Sequence, residues 1–169
     1  MEKQANSRFC FVCGLDNPVG LHLSFYETAP GEVSVDFTPP EQYQGYHGVL
    51  HGGIVASILD ETAGRAHMGN FPPRFMFTAK LEVKYRRNVP VGQPLKIIGR
   101  AGKARGRLAE SWSGIFNRQG DLLAEANVLL VDVPNPPDPL DLEASGWKVY
   151  PDCPAQQVDE NLSRPVSFG

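Results

Sequence analysis

No run of apolar residues in this 169-residue chain approaches the ~18 needed for a membrane-crossing helix, and no such span is expected. Basic excess is missing as well: 16 Lys and Arg stand against 19 Asp and Glu, a formal net charge of −3. Nucleic-acid binding, which feeds on a surplus of cations, is therefore not expected. Cysteine is scarce, with three in all, too few and too odd for a disulfide framework. The opening Met1-Glu2-Lys3-Gln4-Ala5-Asn6-Ser7 lacks the apolar stretch of a secretory signal. A reducing cytoplasm is the expected compartment. Cys10-x-x-Cys13 has no second pair at zinc-site spacing, only the distant Cys153, so no metal is expected. A core at this length buries roughly 68–70% of the unfolded surface, enough to dispense with such staples.

Proline punctuates the chain unevenly. Seven of the fifteen fall in the last 36 residues, from Pro134 onward. Their fixed φ and missing N–H predict an irregular tail over 134–169. Residues 1–19 read as a lead segment and 20–133 as the folded domain. Within that domain, period-two alternation predicts strands at 21–26, 33–37, 81–85, 95–101, 108–116 and 122–131. Residues 52–68 have helical spacing, with Val55, Ile58, Leu59, Thr62 and Ala66 on one flank. The order predicts an α+β fold: an antiparallel six-stranded sheet wrapped around one long central helix.

His51-Gly52-Gly53 stands where the loop enters that helix. The first amides of a helix have no intrahelical acceptor and sit at the positive end of its dipole, so they suit a developing oxyanion. The same glycines also suit a plain tight turn. Along the helix, Gly53, Ala56, Ser57, Asp60, Ala63, Gly64 and His67 form a stripe of small residues around one carboxylate. Such a carboxylate is costly to bury unless it is paired or used. Arg65 and Arg74 are the available cations for pairing. Glu61 points about 100° away, toward solvent or a subunit contact.

The run from His51 to Glu61 resembles the signature of hotdog-fold acyl-CoA thioesterases of the PaaI/4HBT type: His-Gly-Gly, then an acid nine residues after the His. Cys10-Phe11-Val12-Cys13-Gly14 with Asn17-Pro18-Val19-Gly20-Leu21 is similar to the lead of one branch of that superfamily. Thr78 to Arg87 with Val89-Pro90-Val91-Gly92 is similar to its third strand and following turn. The resemblance implies hydrolysis of an acyl-CoA by a homodimer or homotetramer without organic cofactor or metal. Asp60 is then the general base or nucleophile. Gly52, with Gly53 close by, polarises the carbonyl, and Thr78 lies near the attacking water, usually from the other subunit. Gly45 replaces an Asn or Gln common in relatives, which leaves that polar role to Gln44 or His47. His51 braces the loop, and Ser57 shares the substrate-facing stripe. Arg87, Arg105 and Arg107 belong to two basic clusters that suit either the phosphates of CoA or solvent. Phe71, Phe75, Phe77 and Trp112 are the expected acyl lining. Two other activities fit this scaffold, a non-catalytic acyl-CoA binding protein and an acyl-thioester hydratase or dehydratase.

Overall fold

Seven strands form one antiparallel sheet around a single long helix, in a computed structural model that describes residues 1–69 and 73–152. The strands are β1 (Glu2–Lys3), β2 (Tyr26–Ala29), β3 (Glu32–Phe37), β4 (Met76–Tyr85), β5 (Leu95–Arg105), β6 (Leu108–Phe116) and β7 (Leu122–Asp132). Their spatial order is β1-β2-β3-β5-β6-β7-β4. This is the hotdog arrangement, with one strand more than the six expected. The extra strand, β1, is two residues long and pairs with β2, too short to leave an alternation pattern.

The first expected strand, 21–26, is displaced. Leu21, Leu23 and Phe25 are buried on one side, which produces the alternation. Their backbone partners belong to the lead segment: the Leu21 N–H donates to the Phe11 carbonyl at 2.7 Å and that of Leu23 to Val12 at 2.9 Å. An irregular loop is no ladder, so the sheet strand begins only at Tyr26.

Helix α1 (Gly52–Met68) coincides with the range its spacing predicts. Val55, Ile58, Leu59 and Thr62 are buried against the sheet, where Val55, Ile58 and Leu59 share one core cluster with Val35, Ile97 and Ile115. A hydrogen bond and a close backbone approach fix its height above the sheet. The Ser113 hydroxyl donates to the Leu59 carbonyl at 2.7 Å. At Gly99 on β5 a Cβ would stand 2.3 Å from the Thr62 carbonyl oxygen, so only glycine admits this approach. Gly99→Ala is expected to cost about 1–3 kcal/mol, the range for overpacking a tight core, read as a lower urea midpoint with unchanged slope.

The C-terminal segment is more ordered than its prolines suggest. Helix α2 (Pro139–Ala144) interrupts it, with Pro139 in the first turn and the Asp138 carboxylate accepting from the Leu140 N–H at 2.9 Å. Proline is compatible with a first turn because its absent N–H would have no intrahelical partner there. Leu142 is buried, and Asn6 and Lys148 exchange backbone hydrogen bonds that tie this segment to the lead. Cys153, Phe168 and the rest of 153–169 lie outside the described residues. At the other margin of the sheet, β4 pairs only with β7 among the described residues, and Phe77 to Lys80 are exposed.

Candidate active site

The loop before α1 is built to deliver one amide. The Gln44 side-chain oxygen accepts from the Gly48 N–H at 3.0 Å, and Gly48 adopts φ +75°, a turn that glycine enters without steric cost. Gly45 N–H donates to the Val49 carbonyl and Leu50 N–H to that of Val89. His51 is the N-cap of the helix, and its Nδ1 accepts from the Gly53 N–H at 3.0 Å. That contact occupies the amide of Gly53, so the second donor expected there is already engaged. The Gly52 N–H has no acceptor among the described residues. Tyr85, at the end of β4, donates its hydroxyl to the Gly52 carbonyl at 2.8 Å and steadies the same helix entry. A cleft of about 370 Å³ opens here, lined by Gly45, Tyr46, His51, Gly52, Tyr85 and Arg87 among others. His47 is exposed on the same loop.

Asp60 lies further along α1, half-buried. Neither expected cation reaches it: Arg65 pairs with Glu61 at 3.0 Å and Arg74 with Asp132 at 2.7 Å. Its partner is Thr78 on β4, whose hydroxyl donates to Oδ1 at 2.7 Å. Thr78 therefore reaches the Asp60 of its own chain. Burial pushes the Asp60 carboxyl above the ordinary carboxylate range; the Thr78 hydrogen bond partly opposes this, and the charge of Glu61 reinforces it. Thr78→Val removes the opposing contribution. The Asp60 titration midpoint, followed by carboxyl NMR, is expected to rise further, and an unmoved midpoint would show that the hydroxyl does not hold the charged form.

Gly52 and Asp60 are eight positions apart on one helix, roughly 12 Å at 1.5 Å per residue. A single carbonyl cannot lie ~3 Å from both, as one acyl-transfer centre requires. Ser57, between them, donates to the Gly53 carbonyl at 2.9 Å. The arginines are divided too. Arg87 pairs with Asp121 at 3.1 Å beside the C-terminal end of β4. Arg105 and Arg107 lie at the β5–β6 turn, where Leu108 pairs with Val131 and Val131 with Phe77, near the start of β4. Ten strand residues, roughly 30 Å, separate the two groups.

Several expected positions are corrected. Glu61 turns inward, with one oxygen on Arg65 and the other 3.8 Å from the Cys10 sulfur. Phe75 stacks edge-on against Trp147, with ring centroids 5.3 Å apart, away from the cleft. Trp112 occupies the sheet face opposite the helix, where its indole N–H donates to Glu125 at 2.9 Å. Phe77 is exposed on the edge strand, and Phe71 lies outside the described residues. Tyr85 was not singled out by any spacing. The one sequence signal for Tyr85 is a hydroxyl-bearing aromatic at a strand end, next to basic residues.

Residues 47–124 match the profile of the thioesterase superfamily. Over 107 residues the chain is 29% identical to the acyl-coenzyme A thioesterase THEM4 of Rattus norvegicus, a match covering 63% of this chain and 45% of that protein. The chain thus spans less than half the length of this relative. A crystal structure of a thioesterase superfamily protein superposes with a TM-score of 0.68 at 27% identity, covering 73% of this chain and 63% of that one. Thioesterase superfamily member 2 of zebra fish gives a TM-score of 0.61 at 22% identity, over 70% of this chain and 86% of that one, a likeness of fold.

Proposed function

We propose that this chain, whose residues 47–124 match the thioesterase superfamily, hydrolyses acyl-CoA thioesters in a site shared between two copies. One observation carries this reading: a half-buried Asp60 with no cationic partner among the described residues, hydrogen-bonded to Thr78, on the helix whose first amide at Gly52 lies open. The Gly52 N–H of one copy polarises the thioester carbonyl. Asp60 of the second copy takes a proton from a water that adds to the carbonyl carbon, and Thr78 holds the carboxylate in place. Collapse of the tetrahedral adduct expels the CoA thiolate, which takes up a proton, and releases the free acid. Direct attack by Asp60 gives the same products through an anhydride.

The edge strand supports the pairing. A ten-residue edge with exposed Phe77 invites a further strand, and folded proteins rarely leave such an edge uncovered. Antiparallel joining of two β4 strands brings the Gly52 end of one copy to the Phe77 end of the other. Arg105 and Arg107 then approach Arg87 of the second copy, a basic rim suited to the phosphates of CoA. Gln44 and His47 lie on the loop leading into α1, which Gln44 braces through the Gly48 N–H.

The test is a hydrolysis panel of acyl-CoAs varying in chain length and including an aromatic acyl group, with thiol release monitored. Turnover of at least one member, linear in enzyme, is expected. Binding across the panel without thiol release would overturn the hydrolytic reading in favour of a binding protein.

A further inference from the structure

Away from Asp60, the lead segment presents a second reactive group of side chains. Residues 10–14 form one isolated helical turn closed by the Gly14 N–H to the Cys10 carbonyl at 2.8 Å. Only glycine permits it: a Cβ at Gly14 would stand 2.4 Å from the Cys10 carbonyl oxygen. The turn places Cys10 and Cys13 on one side, where both sulfurs and a Glu61 carboxylate oxygen lie within 4.8 Å of one another. The two thiols differ in access. Cys13 is fully buried, whereas Cys10 is partly exposed and flanked in sequence by the exposed Phe9 and Phe11.

The surroundings favour a sulfur anion at Cys10. The Val12 N–H approaches its sulfur at 3.3 Å. The neighbouring Cys13 sulfur, within 4.8 Å, brings the Cys10 thiol down to about 6, against burial and the charge of Glu61, whose carboxylate lies 3.8 Å from the Cys10 sulfur; Cys13, 3.7 Å from the Ser7 hydroxyl, is pushed up by the Cys10 sulfur and by burial. An accessible low-pKa thiol beside a buried protonated one is the arrangement of an attacking and a resolving cysteine. A zinc ion fits less well. Among the described residues the group offers three donors, and the second oxygen of Glu61 is held by the cationic Arg65.

We propose that Cys10 and Cys13 form a redox-active dithiol that reduces low-molecular-weight disulfides and closes to an intrachain disulfide. The Cys10 thiolate attacks one sulfur of the substrate RSSR, forming a mixed disulfide and expelling RS⁻, which is protonated to RSH. Cys13 then loses its proton, for which the Glu61 carboxylate is a base within reach, and attacks the Cys10 sulfur to expel the second RS⁻. Two protein thiols are oxidised by two electrons and one RSSR is reduced to two RSH.

The experiment uses glutathione disulfide as probe and the folded full chain in a Cys153→Ser background. After incubation and alkylation, the expected product has lost two hydrogens and both alkylatable thiols together. Its peptide map links Cys10 to Cys13, and dithiothreitol restores both thiols. Cys13→Ser in the same background is expected to trap a glutathione adduct on Cys10, at least about tenfold above any adduct on Cys10→Ser. Should Cys13→Ser not fold, the map of the parent decides. Two alkylatable thiols persisting in the folded parent under conditions that oxidise a free peptide Cys-x-x-Cys would overturn the proposal. Stoichiometric zinc that co-purifies and shields both sulfurs would overturn it equally.

Discussion

Asp60→Asn is expected to lower kcat for the best acyl-CoA by about 10²–10⁴-fold, the range for removing a positioned general base, while the protein folds and elutes as the parent does. Asparagine keeps an oxygen for the Thr78 hydroxyl, so the loss reports charge and proton transfer and not a collapsed site. The same substitution is expected to raise stability at neutral pH. Burial holds the Asp60 proton more tightly in the folded chain than in the unfolded one. Between the ordinary carboxylate range and the raised midpoint the unfolded state therefore binds fewer protons, and stability falls as pH rises through that window. The amide of the variant has no proton to lose and escapes this penalty. A higher urea midpoint together with lost turnover marks a carboxylate kept for chemistry at the expense of the fold. Unchanged kcat would remove Asp60 from the reaction.

Arg65→Ala is expected to produce the largest loss of stability, about 3–5 kcal/mol, in line with breaking a buried ion pair from one side. Arg65 is 1% exposed. Its guanidinium stacks between Phe25 and Trp147, at 4.6 and 4.9 Å from their ring centroids. It also donates to Glu61 and, at 2.6 Å, to the Ala5 carbonyl. One side chain thereby joins α1, the lead segment and the C-terminal segment. Truncation strands Glu61 and opens a cavity between two aromatic rings. Arg65→Met with Glu61→Gln keeps the volume, removes both charges and is expected to recover part of the loss. Equilibrium urea unfolding measures both variants. A deficit below about 1 kcal/mol for Arg65→Ala would class the contact with ordinary surface pairs.

These two residues also mark what could be read from the sequence. Periodicity located α1 residue for residue and β3, β6 and β7 closely, because each turns one face to the core and repeats that choice locally; it found only 81–85 of β4 and 95–101 of β5, whose remaining residues are mostly exposed and carry no alternation. Asp60 was legible for a related reason: a carboxylate within a stripe of small residues breaks the local pattern. Arg65 was not. Its burial depends on Trp147 and Ala5 arriving from opposite ends of the chain, and nothing within a helical turn encodes that. Glu61 was misplaced for the same reason, since helical geometry gave its angle but not the lead segment that covers that side. The strand at 21–26 misled because alternation reports a buried face and says nothing of which backbone supplies the hydrogen bonds. Thr78 was named from the family resemblance alone, and its hydrogen bond to Asp60 of the same chain emerged only from the packing of β4 on α1.

The spacing of Gly52 and Asp60 along one helix bears on how two defective proteins behave when mixed. Gly52→Pro deletes a single N–H at the first helical position, where proline is well tolerated, and His51 already has the extended ψ of 132° that a following proline prefers. Alone it is as crippled as Asp60→Asn. Unfolded together and refolded in equal amounts, the two variants form hybrids in which one intact amide meets one intact acid. Roughly a quarter of parental turnover should return, because half the dimers are hybrids and each carries one working centre of two. Two dead proteins would thus rescue one another.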